Sequence, residues 1–139
     1  MSTSNWPHLG FGVGLRAEHY HHILTQRPAV DWFEAITENY LDTGGRPLHV
    51  LERVRRDYPL ALHGVGLSIG STDPIDERYL TRLQTLFARV DPALVTDHLC
   101  WTSVGGRALY DLLPLPYTDE SLARLCENAA HAGMLGKNG

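Results

Sequence analysis

His63 and His98 are the residues whose types and positions speak most directly of chemistry. Each follows a short apolar run, Leu60-Ala-Leu62 and Ala93-Leu-Val95, and each precedes a loop. If those runs are neighbouring parallel strands about 4.8 Å apart, two imidazoles at matching height share a metal ion or flank one substrate. Glu38, beyond a third such run, adds a carboxylate oxygen. Imidazole with carboxylate suits zinc, manganese or non-heme iron better than the thiolate-selective metals. The plainer alternative is that each histidine caps its strand by bonding a nearby carbonyl.

Other polar residues fall at comparable places. Arg16, Glu18, His19 and Tyr20 follow the run Phe11–Leu15, and Glu38-Asn39-Tyr40 ends the run that starts at Val30. Consecutive residues of a helix point in different directions, so His19-Tyr20-His21-His22 cannot face one ion. Only His19 is a pocket candidate, and His21 and His22 read as surface or packing residues. Gly64, Gly66 and Gly70 either let backbone amides approach an anion or cofactor, or simply make a tight strand exit. No Gly-Lys-Ser/Thr follows them, and Gly10-x-Gly12-x-Gly14 lacks the dinucleotide spacing. Cys100 shares a face with His98 if the backbone stays extended there. It is then a ligand, a reactive thiol or a buried inert residue. Cys126, His8, His49 and His131 have no supporting context, and Asp119-Glu120 suits the first turn of a helix.

These residues need elements to hold them. Strands are expected at Phe11–Leu15, Val30–Thr37, Leu60–His63 and Ala93–Thr96, all parallel, with Arg107–Leu113 as a hairpin arm or a short strand in the next loop. A helix from Glu18 stops before Arg27-Pro28, because a residue preceding proline disfavours helix. Others run from Pro47 to Asp57, from Asp73-Pro74 to about Val90 with Asp73 as N-cap, and onward from the N-cap Thr118. From His131 to Gly139 helical periodicity is lost. Strand starts lie roughly 20 to 35 residues apart, which suits βαβ units. A doubly wound sheet and a (β/α)8 barrel both fit, and either gathers ligands at the carboxyl ends of its strands. A whole barrel takes about 250 residues. The 139 residues are therefore expected to form the amino-terminal half of a single barrel domain, truncated and without a second domain. Leu62 and Val95 are expected to face inward.

Composition is ordinary for a globular chain: 43% hydrophobic, 20% charged, net charge −4. No basic block exceeds Arg55-Arg56, which argues against nucleic acid as a partner. The longest apolar run, Pro59–Gly70, is 12 residues and too short to span a membrane. The start, MSTSNWPHLG, reads as no secretory signal, and two cysteines make no disulfide framework. A cytoplasmic protein is expected.

The strings GLRAEHYHHIL, DWFEAITENYLDTGG, YPLALHGVGLSIGSTDPID, DHLCWTS and YDLLPLPYTDESL carry more. They closely resemble the multinuclear non-heme iron-dependent oxidative enzymes, long known only as an uncharacterised bacterial protein family and including the methanobactin-biosynthesis oxidase. The resemblance runs from about Gly12 to Asn128. It implies a xylose-isomerase-like (β/α)8 barrel with two or three iron ions at its top. It also implies oxidation of cysteine residues in ribosomally made precursor peptides, often presented by a separate partner protein. By resemblance His63 and His98 match early histidine ligands, while Glu38, Asn39, His19 and Asp111 fall in matching motifs. The remaining ligands would come from later strands. Two other functions compete: a zinc- or manganese-dependent isomerase or hydrolase on the same barrel, and a non-enzymatic truncated remnant.

Overall fold

The structure, a computed structural model, describes residues 8–133. The first residues of the MSTSNWPHLG start, and the tail beyond Gly133, lie outside the described residues. The fold is α/β. Strands β1 (Gly12–Gly14), β2 (Trp32–Ile36), β3 (Leu60–His63) and β4 (Leu94–Thr96) form one all-parallel sheet in the order β1-β2-β3-β4. The first two crossovers carry α1 (Tyr20–Gln26) and α2 (Arg46–Asp57). Helix α1 ends where Arg27 turns left-handed (φ 47°), just ahead of Pro28. Pro47 sits harmlessly in the first turn of α2, where its missing N–H would have had no helical partner.

Register decides which side chains share a face. Ala35 pairs with Leu62 and Leu62 with Val95; Ile36 pairs with His63 and His63 with Thr96. Phe33, Ala35, Leu60 and Leu62 are buried on one face, as are Leu48, Leu51 and Val54 of α2 and Ile23 of α1. Tyr58 meets Phe33 edge-on, with ring centroids 4.9 Å apart. Successive strand residues point to opposite faces, so Leu62 and Val95 lie on the face away from His63. Strand β1 is shorter and more open than a buried strand should be: Val13 is 51% exposed at the sheet edge.

The chain divides into two compact units, one made of the residues up to His63 with Arg89–Thr96, the other of Gly64–Ala88 with Asp97 onward. The four-stranded sheet belongs to the first. The second holds most of α3 (Glu77–Val90), the antiparallel hairpin of β5 (Trp101–Val104) and β6 (Arg107–Leu113), and α4 (Asp119–Gly133). Helix α3 starts later than Asp73-Pro74 suggests. Asp76 is its cap, accepting a 2.9 Å hydrogen bond from the Arg78 N–H. Asp73 instead accepts from the N–H groups of Gly105 and Gly106 at 2.9 and 3.0 Å. Those two glycines, both at positive φ, make the tight turn of the hairpin. Thr118 caps α4 as expected, accepting from Ser121 N–H at 3.2 Å. The helix then continues past His131 to Gly133, where the sequence pattern had already faded. His131 is held there by a 2.8 Å contact with Glu77.

A candidate site at the strand ends

His63 closes β3, and its side chain is half-buried. Its Nδ1 lies 2.8 Å from the Thr96 hydroxyl, across the β3–β4 pairing. The Thr96 hydroxyl is thus one group that orients the ring. Thr96 is a neighbour of the candidate site that sequence reasoning does not reach, because its place beside His63 depends on the register between β3 and β4.

Glu38 lies two residues past Ile36, in a short 3-10 turn over Thr37–Asn39, and is half-buried. Asn39 beside it is exposed. The three first-unit positions Ile36, His63 and Thr96 are therefore level at the carboxyl ends of β2, β3 and β4, with Glu38 just beyond. His98 follows Thr96 by two residues, at the start of the second unit, and its N–H donates to the Asp97 carboxylate at 2.7 Å. His19 is exposed at the head of α1. Asp111 is exposed on β6 and accepts from the next N–H, that of Leu112. Among the described residues no group of three or more His, Cys, Asp or Glu side chains is gathered closely enough to hold a metal ion.

A hydroxyl pair stands near the same ends. Tyr20, opening α1, and Tyr40, following the 3-10 turn, meet at 2.7 Å. Tyr40 is buried, and burial followed by the bond to Tyr20 pushes its phenol well above the ordinary range, so it stays neutral. The pair ties the loop after β1 to the loop after β2.

The glycine-rich loop after His63 is built for packing. Its positive φ falls on Ser68, not on a glycine, and the Ser68 hydroxyl accepts from Thr102 N–H at 2.8 Å. A Cβ on Gly70 would come within 2.6 Å of the Leu115 side chain, and Gly70 N–H donates to the Cys100 carbonyl. Asn128 of α4 donates to the Ile69 carbonyl at 2.7 Å. The anion-cradle alternative gains nothing from these contacts. The chain bends at Leu99 and Cys100, so Cys100 does not share an extended face with His98. Its thiol is buried, and burial together with the Asp97 charge raises its pKa, which disfavours thiolate.

A sequence profile of the RiPP precursor modification enzymes MbnB/TglH/ChrH matches residues 10–135. The chain belongs to this family. Among its relatives is a UPF0276 protein of Anaeromyxobacter sp. (strain Fw109-5), 62% identical over 114 residues, which are 82% of this chain and 40% of that protein. A UPF0276 protein of Caulobacter vibrioides is 54% identical over 127 residues, 91% of this chain and 45% of its own. One from Vibrio vulnificus is 41% identical over 130 residues, 94% of this chain and 44% of its own. The chain thus spans less than half the length of these relatives. Among the described residues no helix is long and apolar enough to cross a membrane.

Proposed function

We propose that this chain is the amino-terminal half of a (β/α)8-barrel enzyme that uses iron to oxidise cysteine residues of a ribosomally made precursor peptide. One observation carries the reading. In a chain matched over residues 10–135 to enzymes that modify such precursors, the parallel register levels the ends of β2, β3 and β4 at Ile36, His63 and Thr96. Ligands of barrel enzymes gather at that end.

The donor chemistry fits. His63, oriented by Thr96, and His98 would offer imidazole nitrogens, and Glu38 a carboxylate oxygen, the mixed set that suits non-heme iron. The described residues do not complete a ligand cluster, so the further donors belong to the length that the relatives carry beyond this segment. Iron, when bound, supplies one-electron chemistry that couples thiol oxidation to reduction of oxygen. Asn39, His19 and Asp111 are exposed and would meet peptide rather than metal. A separate protein would present the peptide, and the whole would work in the cytoplasm.

The test is a chain carried to the length of its relatives, loaded with ferrous iron and given a cysteine-containing peptide encoded beside its gene. The expected result is a change in peptide mass that requires both iron and oxygen. Equal turnover with zinc alone, or without oxygen, would overturn the reading.

A further inference from the structure

A groove of about 270 Å³ runs between α1 and α2 in the first unit. Its floor includes the buried Val50 and the half-buried Leu24; its rim carries Arg46, His49 and Arg53 from α2 and His21 from α1. No carboxylate lines it. Arg46 and Arg53 form no ion pair with any described carboxylate, whereas Arg55, about half a turn around α2 from both, is paired with Asp91 at 3.2 Å. In a chain of net charge −4, a lining with two arginines and no carboxylate is a local reversal of sign.

From this we infer that the α1–α2 groove is a docking site for an acidic segment of polypeptide. Charge complementarity selects an anionic partner, since guanidinium groups take carboxylates in paired hydrogen bonds. Spacing favours a chain over a lone ion. Arg46 and Arg53 are seven residues apart, about 10 Å along the axis at a rise of 1.5 Å per residue. A peptide with two separated acids meets both, and its apolar side chains cover Leu24 and Val50. The inference is independent of the metal reading: it concerns a different surface, and it holds whether or not the bound polypeptide is the one modified.

The test uses the 139-residue chain and a fluorescein-labelled peptide with alternating glutamate and leucine, against a control with serine in place of each glutamate. The glutamate peptide binds by fluorescence anisotropy at low salt and the serine control does not. The Arg46→Glu/Arg53→Glu variant, whose circular dichroism checks the fold, weakens binding at least tenfold. Arg55→Glu, about half a turn around α2 from both arginines, leaves it within twofold. Equal binding of the serine peptide, or an equal loss in Arg55→Glu, would overturn the proposal. So would displacement of the peptide by inorganic phosphate at equal molar concentration, which would mark a site for a lone anion.

Discussion

The bond between His63 and the Thr96 hydroxyl joins the ends of β3 and β4 and restrains the imidazole ring there. Cys100 is buried and its thiol is raised above its ordinary value of 9.0 by burial and by Asp97, while Cys126 on α4 is exposed. Iodoacetamide at about pH 8 should therefore alkylate Cys126 first, with Cys100 modified only after unfolding. Peptide mapping by mass spectrometry reads the order, and equal rates would contradict the burial of Cys100. A raised thiol pKa means that the folded state holds its proton more tightly than the unfolded state does. The associated stability is fully present below the unfolded thiol value and is lost as pH climbs through and beyond it. The place of His63 at a strand end is legible from the apolar run before it, but its pairing with Thr96 is not, because that depends on the register between two strands 33 residues apart.

At the scale of elements, one face of the sheet supplies most of the first unit's core. Leu62 is fully buried on that face while its register partner Val95 is 45% exposed at the edge. Leu62→Ala should cost about 3 kcal/mol through lost burial and a residual cavity, and Val95→Ala less than about 1 kcal/mol. Urea unfolding would compare them, and similar costs would contradict the assignment of β4 to the edge. Strand and helix positions were legible wherever periodicity was local: β3 and α2 follow from apolar spacing and a first-turn proline. Other features needed tertiary information. The start of α3 was misplaced because Asp73-Pro74 has the local signature of a cap, yet the Asp73 carboxylate is drawn to the Gly105-Gly106 turn, far along the chain. Strand β5 escaped notice although that glycine pair is itself a hairpin signal. Alternation tells which residues of β3 share a face, not what covers that face.

For the whole molecule, the family and the parallel α/β architecture are clear, and the matched relatives are more than twice as long as the part they share. Among the described residues β1 and β4 are the sheet's two edges. In the proposed reading His63 and Glu38 stand at or just past the ends of β3 and β2, and His98 follows β4 by two residues in the chain. The central claim is that His63 and His98 hold the proposed metal. It is tested most directly by metal analysis of a chain carried to its relatives' length, bearing His63→Ala, His98→Ala, His21→Ala or His22→Ala. The first two should each lose iron, with affinity down by roughly tenfold or more, while the two helix-surface variants keep the iron content of the unsubstituted chain. Equal iron in all four would contradict the account.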